Sequence, residues 1–247
     1  MLKARVIPVL LLHNNGLVKT KKFEKPEYIG DPINAVKIFN LKEVDELIFL
    51  DINASNLHTE PDYELIADIA SEAFMPFGYG GGVNTIAQIR KLLRIGVEKI
   101  ILNTSLKDEE FVKEAVAIFG SSTIVASIDV YKNQVYNHAT KSFASKNVIE
   151  YVKKIEDLGV GEIMFNSVDR DGCYTGYDID LLKMVSDAVG VPVIGCGGAR
   201  DLDDIKRLIS QTGCTAAAAG SMFVFYGKYK AVLITYPEES ELLNLEQ

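Results

Sequence analysis

The chain has 247 residues, of which 48% are hydrophobic, enough for one large core and no reason on length alone to invoke two domains. A formal charge of −8 and a pI near 5.0 exclude a nucleic-acid or anionic-membrane partner unless basic residues cluster locally, and no Lys/Arg block does so. Cys173, Cys196 and Cys214 are odd in number and lack a CxxC spacing, which argues against a disulfide framework or a structural zinc site and for a reducing cytoplasm.

Arg5 followed by the apolar run Val6 to Leu12 has the outline of a signal peptide. Pro8 interrupts the run, no small-residue cleavage site follows, and no apolar stretch reaches membrane-spanning length, so the segment reads as a buried strand. Further short apolar runs predict strands over Arg5–Leu11, Glu46–Asp51, Pro76–Gly80, Lys99–Asn103, Thr123–Asp129, Glu162–Asn166, Pro192–Cys196 and Thr215–Gly220. Helical periodicity fills the intervals. Ile86, Ile89, Leu92 and Leu93 form one stripe within Thr85–Ile95, and Leu202, Ile205, Leu208 and Ile209 form another within Asp201–Ser210. Eight strands alternating with helices predict an α/β fold, a (β/α)8 TIM barrel, occupying 1–247 as one domain. Its tail, 227–247, is less regular: Ala231–Tyr236 is strand-like and Pro237–Leu245 weakly helical.

Pro76 to Gly82 resembles Pro192 to Gly198, Ile89 and Leu92 fall on Ile205 and Leu208, and Ser105 falls on Ser221 at the same offset, so the barrel is read as two homologous half-barrels. Function in such barrels sits at the C-terminal ends of the strands, where Asp51, Gly81–Gly82, Asn103–Thr104, Asp129, Asp171, Gly197–Gly198 and Gly220–Ser221 collect. A glycine pair after a strand lets backbone N–H groups approach an anion, so Gly81–Gly82 with Thr104 and Gly197–Gly198 with Ser221 read as two phosphate cradles; a tight turn is the alternative for either alone. Asp129 ends an apolar strand, a setting that tunes a carboxylate for proton transfer, with helix capping as the alternative. Asp171 and Gly172 form a loop that suits a substrate hydroxyl or ammonium group. Lys19 belongs with Lys21 and Lys22 to the densest group of cations, which suits a small phosphorylated ligand. His13, His58 and His138 share no spacing and are read as surface or loop residues, with no metal and no cofactor expected.

The runs Arg5-Val-Ile-Pro8, Gly16-Leu-Val-Lys19, Glu46 to Asp51, Gly80-Gly-Gly82, Asn103-Thr104, Ser167 to Gly172 and Gly197-Gly198-Ala199 together resemble the family of the cyclase subunit of imidazole glycerol phosphate synthase, from Met1 to about Phe225. The resemblance implies a glutaminase docked at the N-terminal face, ammonia crossing the barrel, and a bisphosphorylated substrate at the C-terminal face. It also implies two catalytic aspartates. Asp129 matches one, whereas Ile7-Pro8-Val9-Leu10-Leu11 places Leu11 where the other belongs. Arg5, Glu46, Lys99 and Glu162 match the family's charged gate for ammonia; an ion-pair plug is the alternative role. A retained gate and a lost acid point to a diverged member that passes ammonia to a sugar-modifying synthetase for surface-polysaccharide amidination. The competing expectations are a true cyclase of histidine biosynthesis and a stand-alone isomerase.

Overall fold

The computed structural model describes residues 4–242. Eight strands, β1 (Arg5–His13), β2 (Leu47–Asp51), β3 (Phe77–Gly80), β4 (Lys99–Leu102), β5 (Ile124–Tyr131), β6 (Glu162–Ser167), β7 (Val193–Cys196) and β8 (Ala216–Ala219), pair in parallel in sequence order. β8 then pairs with β1 and closes the barrel. All eight coincide with the strands expected from the sequence to within two residues at either end.

Alternation along each strand divides the side chains between two apolar layers. Ile7, Val9, Ile48, Ile101, Val125, Met164 and Ile194 point into the barrel, with Ala216 and Ala218 beside them. Val6, Leu10, Phe49, Phe165 and Ala217 point outward to the larger core under the helices. Those helices are α1 (Pro32–Leu41), α2 (Tyr63–Glu72), α3 (Ile86–Ile95), α4 (Glu109–Phe119), α5 (Val148–Glu156), α6 (Ile179–Ala188) and α7 (Leu202–Gln211). Thr85 starts α3 with a reciprocal capping box to Gln88, and Asp201 caps α7 through the Asp204 N–H. Ile89 and Leu92 are buried on α3 as Ile205 and Leu208 are on α7, so the two helices repeat one packing scheme. Among the described residues no helix is long and apolar enough to cross a membrane.

Three hairpins on the C-terminal side of the barrel were not expected. The strands Gly16–Lys21 and Glu24–Gly30 extend the β1 end, Gln134–Asn137 and Ser142–Ser145 extend the β5 end, and Phe225–Tyr226 pairs with Ala231–Val232 after β8. The first two leave the barrel through two-residue turns, Asn14–Asn15 and Lys132–Asn133, with φ of 49° and 62° and of 50° and 58°. Leu11 and Asp129 each lie the same distance before such a turn. The half-barrel repeat therefore extends into the loops and sets these two residues as counterparts.

In the tail, the strand-like reading of Ala231–Tyr236 narrows to Ala231–Val232, and the helical one to Glu239–Leu242, with 243–245 outside the described residues. The tail is tied to the base of the barrel by Tyr236, whose buried hydroxyl donates to the Val6 carbonyl at 2.8 Å and lies beside Asp45. Replacing Tyr236 by Phe removes that donor and leaves the Val6 carbonyl unsatisfied. Urea unfolding of Tyr236→Phe should show a loss of about 1–2 kcal/mol.

Candidate active site

Both ends of the apolar barrel interior carry ionisable groups. At the N-terminal end Arg5 Nη1 donates to Glu46 Oε2 at 2.5 Å and Arg5 Nη2 donates to Glu162 Oε1, while Lys99 Nζ lies 3.0 Å from Glu46 Oε2 and 2.9 Å from Glu162 Oε2. Each cation thus touches both carboxylates, and the four side chains close a ring. The carboxylates are the buried members, 4% and 8% exposed, whereas the Arg5 and Lys99 side chains reach solvent at 28% and 21%. Glu46 Oε1 is buried without a hydrogen-bond partner, so the ring does not satisfy every polar atom it encloses.

At the C-terminal end a cavity of about 330 Å³ opens among the strand ends. Of the residues expected at the site, Asp129, Lys19, Asp51, Gly81, Gly82, Asn103, Thr104, Asp171, Gly220 and Ser221 line it, and so does Leu11. Gly172, Gly197 and Gly198 do not line the cavity. Gly172, at φ 66°, packs onto the Thr20 carbonyl of the first hairpin, and Gly198, at φ 105°, is covered by Arg170 and by Gly176, whose N–H it accepts. Both close approaches leave no room for a side chain.

Asp129 is buried at the end of β5, and its Oδ2 accepts from Asn103 Nδ2 at 3.0 Å; the same amide donates to the Ser127 carbonyl at 2.9 Å. Burial pushes the Asp129 carboxyl up to about 7, Asn103 pulling it down and the Asp171 charge adding to the rise. Burial likewise raises Asp171, against the pull of Lys19. Lys19 is itself lowered to about 8 by burial, with Asp171 opposing, and its Nζ donates to the Val9 carbonyl at 2.6 Å. A Cβ on Gly220 would meet Lys19 Nζ at 2.5 Å, so this glycine makes the space the ammonium group occupies. The result is a carboxyl poised near neutral pH in a cavity that also holds a buried ammonium group and a second buried carboxyl, an arrangement able to exchange a proton and hold an anion.

The two cradle positions share a backbone design. Thr104 and Ser221 each open a short 3-10 helix, Thr104–Lys107 and Ser221–Phe223, behind residues of similar backbone angles, Asn103 (φ −128°, ψ −78°) and Gly220 (φ −108°, ψ −75°). Thr104, rather than Ser105, is thus the structural mate of Ser221. Asp51 is partly committed elsewhere: its Oδ1 accepts from the N–H groups of Asn53 and Ala54 at 2.8 and 3.2 Å.

Several wall residues went unforeseen. Ser127 and Asn166 alternate into the barrel with Asp129 and Met164, a signal the strand periodicity contained. Cys196 lines the cavity as a buried thiol raised to about 12, chiefly by burial. His13 and His138 also line it: His13 lies at the end of β1 rather than in a loop, His138 sits in the loop of the second hairpin as read, and His58 is exposed. His13 ends β1 on the face shared with Leu11, and His138 meets Phe23 edge-on at 5.5 Å, where the first and second hairpins touch. Only tertiary contact between two loops produces that pair. Among the described residues no cluster suited to a metal occurs, and all three cysteines are free.

A carboxyl raised by burial favours the native state only while protonated. Its contribution is complete below pH 3.8 and is lost as pH rises toward about 7. Asp129→Asn mimics the protonated form, so its stability advantage over the parent chain should grow across that window in urea titrations; a constant difference would contradict the raised value.

Residues 5–230 match the family model described as histidine biosynthesis protein. A protein of Pseudomonas aeruginosa carrying the provisional name imidazole glycerol phosphate synthase subunit hisF2 is 48% identical over 98% of this chain and 99% of its own length. One from Vibrio vulnificus, provisionally subunit hisF3, is 47% identical over 98% and 95%. A third, from Leptospira borgpetersenii and provisionally subunit HisF, is 44% identical over 98% of each chain.

Proposed function

The chain belongs to the histidine biosynthesis protein family, and we propose that it is a diverged imidazole glycerol phosphate synthase subunit that conducts ammonia from a glutaminase to a separate acceptor enzyme. The acceptor reading is amidination of a surface-polysaccharide sugar by a synthetase. One observation carries the proposal: the four-membered ring at the base of the barrel is intact, while Leu11 stands opposite Asp129 in the half-barrel repeat. A leucine cannot transfer a proton. A ring of paired charges holds back water and ions, and the apolar layer above it favours neutral ammonia over ammonium, whose burial without a partner is costly.

Exposure at the base supports a docked partner there. Leu41 and Phe74 are 84% and 87% exposed at the helix ends beside the strand N-termini, and Asn40 ties them together by donating to the Glu72 carbonyl and accepting from the Phe74 N–H. Two large apolar side chains exposed at the same end of the barrel are what a glutaminase face would cover. At the opposite end the roles of Lys19, Thr104, Ser221, Asp171 and the Gly81–Gly82 pair as anion and substrate contacts belong to the same proposal.

The competing reading, a true cyclase, retains support from Asp129, poised near neutral pH in a cavity with both Thr104 and Ser221 on its wall. The two readings part in one assay. Given ammonium and the bisphosphorylated ribulosyl substrate, the purified chain should form at most a trace of imidazole glycerol phosphate, and Leu11→Asp should raise its formation at least about 100-fold, the usual worth of one acid or base. Robust turnover by the unaltered chain would overturn the conduit reading. A second assay addresses the ring: with labelled glutamine, a glutaminase and the synthetase, Lys99→Met should cut glutamine-dependent amidination about tenfold while ammonium-dependent amidination is unchanged.

A further inference from the structure

The chain is acidic overall, yet the three hairpins around the cavity mouth are basic. Residues 21–30, 131–146 and 225–233 hold eight lysines, all exposed, against two glutamates and no aspartate, in a protein of net charge −8. The same segments carry much of the exposed apolar surface: Tyr28, Phe143, Tyr226, Tyr229, Val232 and Leu233 are each about half exposed or more, Tyr229 at 90%.

These segments form one continuous rim. The Lys22 N–H donates to the Asp171 carbonyl at 3.0 Å, Phe23 meets His138, and Lys230 Nζ lies 4.8 Å over the ring of Tyr174. The loop holding Asp171 and Tyr174 thereby joins the first hairpin to the third, and the first touches the second. Aromatic side chains ringed by cations are the composition of an interface core with a charged border, and the cations select an acidic counterpart.

We propose that this rim is a docking surface for the enzyme that consumes the ammonia, a protein presenting an acidic face around an apolar centre. The inference rests on the conduit reading above. Ammonia released into neutral water takes up a proton and ceases to be a nucleophile, so a conduit needs a seal at its exit as well as at its entrance. The first two hairpins line that exit through Phe23, Pro26, His138 and Ala139, the third is joined to them through the loop holding Tyr174, and their exposed apolar side chains are what an acceptor enzyme would cover to exclude water.

The test uses the full chain with a purified glutaminase and a purified amidinating synthetase. Lys228→Glu with Lys230→Glu and Tyr229→Ser forms one variant, and Phe143→Glu on a different hairpin forms a second. Both should lose at least tenfold of glutamine-dependent amidination, while the synthetase's turnover with ammonium salt and the stimulation of the glutaminase stay at parent levels. If the parent couples glutamine to amidination and both variants couple equally well, the docking inference falls and the conduit stands. If the parent couples nothing, the conduit reading itself falls. Binding of the parent to phosphatidylglycerol vesicles, or self-association, abolished by the same variants would assign the rim to a membrane or to a second copy and overturn the proposal.

Discussion

Glu46 and Glu162 are buried at the base of the barrel because Arg5 and Lys99 each touch both of them. Without those cations each carboxylate would be an unpaired buried group, and desolvating a lone charge costs several kcal/mol or more. The ring binds strands β1, β2, β4 and β6 together, so it spans both halves of the barrel. Above it the interior is apolar until the strand ends, where Asp129, Asp171 and Lys19 reintroduce charge. The barrel interior is thus polarised along one axis, with the ring at its base and Asp129, Asp171 and Lys19 at its mouth. What happens at the upper end follows from that separation. Asp129 sits far enough into the apolar interior to be pushed toward neutrality, yet Asn103 and Asn166 keep it hydrogen-bonded.

Much of this was readable from residues alone. Strands buried on both faces appear as apolar runs, and helices packed on one side appear as stripes such as Ile89–Leu92, because burial dictates those periods directly. The glycine pairs were legible through repetition. Gly81 and Gly197 both hold positive φ against a strand backbone, so two distant segments share one sequence. The hairpins lacked such a signature. Glu24–Gly30 contains a proline and three charges, Ser142–Ser145 is short and exposed, and the turn at Lys22–Phe23 uses φ of 54° and 62° in residues that rarely adopt them. Asn14–Asn15 did carry the chemistry of a two-residue turn, and its counterpart at Lys132–Asn133 made the pattern recoverable.

The candidate site divides in the same way. Residues at strand ends, such as Asp129, Asn103 and Ser221, could be placed by counting from the strands. Residues that reach the cavity through loop packing could not. Phe23 and His138 come together only because two hairpins from opposite halves lean across the mouth, a contact encoded in no local pattern. Gly172 and Gly198 show the converse: their motif positions were legible, but what they meet is backbone from neighbouring loops.

The first two hairpins emerge from β1 and β5 through turns of the same build, and each satisfies its ladder largely by pairing with its own neighbour strand. The outer strand of each, Glu24–Gly30 and Ser142–Ser145, is largely exposed and can change composition without disturbing the cylinder that bears it. The barrel is therefore a chassis with two interchangeable fittings at equivalent mounts. Descendants of one ancestral half could acquire different clientele by altering the fittings, while the base and its delivery of material remained as they were.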